Sequence, residues 1–134
     1  MTDNEQELQQ KYMQFQVLQQ QMTQLQQYLQ SIETDMQKVA IMKQGLSDLE
    51  KTKKGTKILA SLNPGMFTHA TLENNDEIII NVGANIAVKK SLKEAKDIVN
   101  NQEKQLGEIH GNYAKDLDNI TKQFLDIQKE IQNV

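Results

Sequence analysis

Apolar residues in the first fifty positions fall into two interleaved series. Phe15, Met22, Leu29 and Met36 recur every seven residues, and Leu18, Leu25, Ile32, Val39 and Leu46 follow three positions behind. This alternating three-four spacing is the pattern of a coiled-coil seam. Leu8 extends the first series toward the N-terminus, and Lys43 breaks it near the other end, with Met42 beside it. The intervening positions are largely Gln, as in Gln19-Gln20-Gln21 and Gln26-Gln27. Gln is an uncharged, good helix former, and the simplest reading is a solvated helix surface. A prion-like tract shares this composition but lacks apolar heptads. Thr2-x-x-Glu5 has the form of a capping box. Lys51, Lys53 and Lys54 place positive charge at the helix end, where Gly55 can supply a left-handed cap. The predicted helical arm covers residues 3–54, and a helix over about 48 of them would run roughly 70 Å.

A second periodic segment covers 91–134. Ser91-Leu92-Lys93-Glu94 reads as a capping box. Leu92, Val99, Leu106, Tyr113, Ile120, Ile127 and Val134 hold a seven-residue period throughout. The companion series is Ala95, Gln102 and Ile109 early, then Leu117, Phe124 and Ile131 late, and its two halves differ in phase by one residue. The eleven-residue step from Leu106 to Leu117 predicts relaxed supercoiling near Tyr113. Gly107 and Gly111, one turn apart, mark close packing or a soft spot; Gly45 reads the same way.

The two helical arms match in length. Paired antiparallel, Phe15 meets Ile127, Leu18 meets Phe124, Met22 meets Ile120, Leu25 meets Leu117, Leu29 meets Tyr113 and Met36 meets Leu106. A narrow apolar stripe needs a partner helix, and here the same chain supplies one. Parallel pairing between two chains is the alternative, but matched lengths around an insert favour the intramolecular hairpin.

Between the arms, over 55–90, the period changes from 3.6 to 2. Ile58 to Leu62 is a short apolar run, and Asn63-Pro64-Gly65 is a type II turn signal. Met66 to Leu72 is rich in strand formers. Asn74-Asn75-Asp76 is a turn, and Glu77 to Val82 is the clearest strand, with Ile78, Ile80 and Val82 on one face. Gly83-Ala84-Asn85 is a tight turn before the last strand, Ile86-Ala87-Val88. Four short strands in two hairpins leave unpaired edges and an apolar face, a liability unless covered. Pairing with equivalent strands of other subunits resolves it. The residues expected to assemble the oligomer are Ile78, Ile80, Val82, Gly83, Ile86 and Val88. The fold class is therefore α+β, mainly α, in a single domain: a long antiparallel two-helix coiled coil with an insert of two β-hairpins that builds an oligomeric β core.

Composition narrows the function. Hydrophobic residues make up 37% and aromatic residues 4% of the 134, too few for a compact globular core but sufficient for a narrow buried stripe. All 15 basic residues are lysine and the net charge is −3. An acidic chain without arginine is a poor nucleic-acid binder. Without cysteine there are no disulfides or thiolate metal sites. The polar start, Met1-Thr2-Asp3-Asn4-Glu5, is unlike a signal peptide, and no apolar run is long enough for a membrane span, so a soluble cytoplasmic protein is expected. His69 sits in a predicted strand as a structural or exposed residue. His110 lies beside the seam as a solvated one, and neither has ligands at metal spacing. No P-loop, dinucleotide turn or nucleophile elbow is present, so neither an enzyme nor a cofactor is expected.

From Leu62-Asn63-Pro64-Gly65-Met66-Phe67 to Ser91-Leu92-Lys93-Glu94-Ala95-Lys96-Asp97 the chain resembles the prefoldin family, α class, of archaeal type. The match centres on Ile80-Asn81-Val82-Gly83-Ala84-Asn85-Ile86-Ala87-Val88-Lys89-Lys90-Ser91, which is similar to the family's strand, Val-Gly-x-Gly turn, strand and helix start. Asn85 stands where the family often has Gly, and Lys89 where Glu is common. The resemblance implies a hexamer of two α and four β-type subunits. Its coiled coils would capture unfolded polypeptides at their tips and pass them to a group II chaperonin without nucleotide. In the hairpin, both chain ends lie at the tip, which makes Leu8, Tyr12, Phe15, Phe124, Ile127, Ile131 and Val134 the candidate client-binding residues. A coiled-coil scaffold that assembles through the β insert but binds no client is the alternative.

Overall fold

In the computed structural model, residues 3–133 are described. The order is α1 (Asp3–Lys51), β1 (Lys57–Asn63), β2 (Met66–Thr71), β3 (Glu77–Asn81), β4 (Ala87–Ser91) and α2 (Leu92–Gln132). Two long helices thus flank two β-hairpins, as the change of period predicts. The chain packs as two units, one joining Met1–Gln37 to Gln105–Val134 and the other formed by Lys38–Lys104. Val134 and the proposed Thr2 cap lie outside the described residues.

The first unit is an antiparallel helix pair. Along α1, Leu8, Lys11, Phe15, Leu18, Met22, Leu25, Leu29, Ile32 and Met36 are the positions withdrawn from solvent, in unbroken three-four alternation. Of these Leu29 is the most enclosed, at 9% exposure. The antiparallel sense is fixed by pairs between near-terminal and interior residues: Lys11 with Glu130 (3.8 Å) and Glu33 with His110 (3.1 Å). Both contacts are partly solvated, so they set register more than stability.

In α2 of this unit the half-buried positions that keep the three-four alternation are Leu106, His110, Tyr113, Leu117, Ile120, Phe124, Ile127 and Ile131, with Ala114, Thr121 and Gln128 half-buried beside them. The second series therefore changes phase at His110, not at Ile109, which is 42% exposed. The eleven-residue step is accommodated by taking His110 into the seam, where its Nε2 meets Glu33 Oε1. His110 is thus a half-buried seam residue with a partner across the interface, which corrects its expected place as a solvated neighbour.

The second unit joins the inner ends of both helices to the hairpins. Val39 of α1, Ala95 and Val99 of α2, and Leu72 after β2 form its small core, at 6%, 2%, 7% and 9% exposure. Where Lys43 interrupts the heptads, the apolar layer is replaced by an ion pair to Glu103 at 3.2 Å. Glu50 and Lys96 form a second cross-helix pair.

α1 ends at Lys51, earlier than its lysine-rich tail suggests. Thr52 Oγ1 donates back to the Asp48 carbonyl at 2.7 Å, and Asn75 Nδ2 donates to the carbonyls of Thr52 (2.8 Å) and Leu49 (3.3 Å). Carbonyls left over at a helix end are thereby satisfied by a residue outside the helix. Gly55, at φ 86°, is not the helix cap. It turns the chain so that its N–H reaches the Leu72 carbonyl at 2.7 Å and β1 can begin. One residue beyond Asn75, the Asp76 carbonyl accepts the Leu92 N–H at 2.9 Å. The short link between the hairpins therefore ties down the end of one helix and the start of the other. At that start, Ser91 Oγ accepts the Glu94 N–H at 3.1 Å, the N-cap that the sequence announces.

Each hairpin is its own two-stranded antiparallel sheet. β1 pairs with β2 from Lys57↔Thr71 to Asn63↔Met66, with an irregularity between Ser61 and Asn63. The Pro64-Gly65 turn has Gly65 at φ 85°, as a type II turn requires. Such turns mismatch the strand twist, and the extra residue at Leu62 absorbs the difference. β3 pairs with β4 from Glu77↔Ser91 to Asn81↔Ala87. Their turn is left-handed at Gly83, Ala84 (φ 50°) and Asn85 (φ 59°), closed by Ile86 N–H to the Gly83 carbonyl at 2.9 Å. Asn85 adopts the conformation that Gly would supply.

A Cβ at Gly107 or Gly111 would meet nothing within 4 Å, so the expected close packing is not the reason for either glycine. Gly107→Ala should therefore raise stability by about 1 kcal/mol through helix propensity alone. Asn75→Ala should lower it by about 1–2 kcal/mol by stripping carbonyls of their donor. Urea denaturation followed by circular dichroism checks both.

Candidate functional site: apolar surfaces of helices and hairpins

The residues expected at the coiled-coil end fall in the first unit and are brought together there. Phe15 and Phe124 stack, with ring centroids 4.6 Å apart and planes at 27°. This places Phe15 against Phe124 as well as at the level of its expected partner Ile127, since a seam residue sits between two knobs of the facing helix. Leu8, Phe15, Phe124, Ile127 and Ile131 are all half-buried seam residues. Tyr12 differs, at 50% exposure and outside the seam.

The apolar surface that is free lies elsewhere on the same helices. Met13 is 66% exposed, Val17 52%, Tyr28 45% and Leu125 47%. Met13, Val17 and Leu18 of α1 face Gln123, Asp126 and Ile127 of α2 across an open groove of about 580 Å³. A second groove, of about 320 Å³, continues along the pair between Gln24, Tyr28, Asp116 and Asn119. Tyr28 is oriented by a hydrogen bond from Gln24 Nε2 to its hydroxyl (2.7 Å) and by the Tyr113 ring at 5.6 Å. The heptad reading passes over Met13 and Val17 because both are out of phase with the seam. That very mismatch, an apolar residue with no place in the stripe, is the signal that would have found them.

In the second unit, the six residues expected to drive assembly divide in two. Ile78 and Ile80 are half-buried where they line a groove with Met42, Leu46 and Val99, and Val88, the cross-strand partner of Ile80, is half-buried too, whereas Val82 and Ile86 are exposed at 60% and 57% beside Gly83 in the turn. On the opposite face Ile79 is 68% exposed. Period-2 alternation separates two faces but does not say which one the chain's own helices take. The first hairpin is more open: Leu59, Leu62, Met66 and Phe67 are 63%, 60%, 56% and 61% exposed, and only Ala60 and Ala70 of its strands are half-buried. Each two-stranded sheet also leaves unpaired strand edges. His69 lies in β2, paired with Leu59 and exposed.

Two helices enclosing two successive hairpins is an arrangement that known proteins share. The family model for prefoldin subunits matches residues 18–134. The chain belongs to the prefoldin family. Prefoldin subunits are chaperones rather than enzymes. A prefoldin subunit alpha of Thermofilum pendens is 25% identical over 118 residues, covering 88% of this chain and 92% of that one. A prefoldin subunit alpha of Archaeoglobus fulgidus is 24% identical over 128 residues, covering 96% and 93%. Among solved structures, a filamentous PFD from Methanocaldococcus jannaschii, determined by cryo-EM, superposes with a TM-score of 0.75 at 15% identity, covering 89% of this chain and 98% of that one. That likeness establishes the shared fold. No helix of this prefoldin subunit, among the described residues, is long and apolar enough to cross a membrane.

The Phe15–Phe124 stack should couple the two helices by about 0.5–1.5 kcal/mol beyond simple burial. A double-mutant cycle with Phe15→Leu and Phe124→Leu, measured by urea denaturation, should return a coupling energy in that range.

Proposed function

We propose that this prefoldin subunit is part of an ATP-independent holdase that captures unfolded polypeptides near the paired helix ends of its first unit and passes them to a group II chaperonin. The observation that carries the reading is the uncovered apolar surface around Tyr12, Met13 and Val17, next to the Phe15–Phe124 stack. Covering apolar surface contributes about 25 cal/mol per Å², so one narrow helix pair binds a client weakly and with little sequence demand. Several such ends on one particle raise the effective concentration and hold the client while permitting release. Leu8, Phe15, Phe124, Ile127 and Ile131 take part as the helix ends fray, because terminal backbone groups lack intrahelical partners.

Assembly is the second part of the proposal. The exposed faces and edges of the hairpins suit strand pairing with other prefoldin subunits, β-type ones in an α2β4 hexamer, through Val82, Ile86 and the strands carrying Ile78, Ile80 and Val88. The setting is cytoplasmic, and neither nucleic acid nor a membrane is a partner. The competing reading is a scaffold that assembles through the hairpins and binds no client; the first unit's exposed methionine, valine and tyrosine, which no seam requires, favour the chaperone.

Light scattering of a denatured client without ATP separates the two, since a scaffold leaves aggregation unchanged. Deleting residues 1–10 and 128–134 should abolish suppression of aggregation while size-exclusion chromatography shows an intact assembly. Undiminished suppression by the truncated assembly would refute capture at the helix ends.

A further inference from the structure

We propose that the flank of the first unit between Met13 and Tyr28 is a docking groove for client segments in which apolar residues are bracketed by lysine or arginine. The inference rests on the client-capture reading and specifies its chemistry. Gln21 lines both grooves described above, so they form one continuous channel along the helix pair. From Met13 to Tyr28 it runs about 22 Å at the helical rise. An extended segment of about seven residues spans that length.

The walls differ in charge. α1 carries no charged residue between Lys11 and Glu33, and its contribution is Met13, Val17 and Tyr28 set among glutamines. Side-chain amides both donate and accept, so they meet the backbone of any client regardless of its sequence. The α2 wall carries Asp116 and Asp126, ten positions or about 15 Å apart, and no lysine lines the groove. Neither carboxylate is in an ion pair among the described residues. Of the lysines near them in sequence, Lys122 is paired with Asp118 at 3.1 Å, and Lys115 and Lys129 lie outside the groove lining. An apolar floor with two free carboxylates on one rim is complementary to an apolar segment with a cation toward each end. A second copy of the chain is not the occupant, because the same acidic rim would face itself.

The test uses the full-length chain in its purified assembly and three labelled peptides with one apolar core, flanked by lysine, serine or glutamate pairs. Fluorescence anisotropy at low salt should show the lysine-flanked peptide bound about three- to tenfold more tightly than the serine-flanked one, the glutamate-flanked one weakest. Exposed charge pairs are individually weak, and two of them acting together set that range. The preference should vanish in about 1 M salt, where screening acts within roughly 3 Å. Asp116→Asn with Asp126→Asn should remove the preference and leave serine-flanked binding unchanged, whereas Met13→Ser with Val17→Ser should weaken all three peptides. Equal binding of the three peptides, or a preference that survives the asparagine variants, overturns the groove while intact aggregation suppression leaves capture itself standing. Absence of both peptide binding and suppression overturns both readings. Dissociation of a larger species on Met13→Ser with Val17→Ser would instead show the flank covered by a second copy, which also overturns the proposal.

Discussion

The narrowness of the apolar stripe on α1 governs everything else. A helix with apolar residues at alternating three- and four-residue spacing buries them only against another helix of matching stripe. In the first unit α2 provides it, and the cross-pairs Lys11–Glu130 and Glu33–His110 show the two running in opposite senses. That requirement brings residues from both ends of the chain side by side. It also keeps the interface one side chain wide, so the helix flanks stay available for other contacts. A thicker core would have enclosed Met13 and Val17; a two-helix interface has no room for them.

How legible this was depends on what each pattern encodes. Period and spacing reveal which residues share a face, so the two helices, the four strands, the Ser91 cap and both hairpin turns could be read directly. They do not reveal what the face meets. Ile78 and Ile80 were rightly placed together, but their half-burial beside α1 and α2 follows from tertiary packing that alternation cannot report. Nor do they show where an irregular step is absorbed: the one-residue phase change in α2 was visible, while the choice of His110 over Ile109 depends on Glu33 across the interface. Asn75 looked like an ordinary turn residue. Its amide serves carbonyls more than twenty positions earlier, a relation no local window contains.

The candidate site was partly legible for the same reason. Seam residues near the chain ends were found because heptads point to them, yet five of them are half-buried. The exposed apolar residues of the flank, Met13 and Val17, were passed over because they break the heptad rule. In a protein whose architecture obeys one repeating rule so closely, departures from it are where surface chemistry resides, whether as Met13, Val17, Asp116 or Asp126.

The regular step along α1 also constrains how such a chain can diverge. Substitution is cheap, since a seam accepts apolar residues of roughly the right size and a flank accepts most polar ones; relatives near 25% identity are what this tolerance produces. A gap is another matter. One residue added between Phe15 and Met36 would rotate everything beyond it by about 100°, carrying seam leucines into water and glutamines into the interface. Length changes in these arms should therefore come as whole heptads, or as the eleven-residue compromise already present between Leu106 and Leu117, so that the arms evolve like a ruler whose markings may be repainted but not respaced.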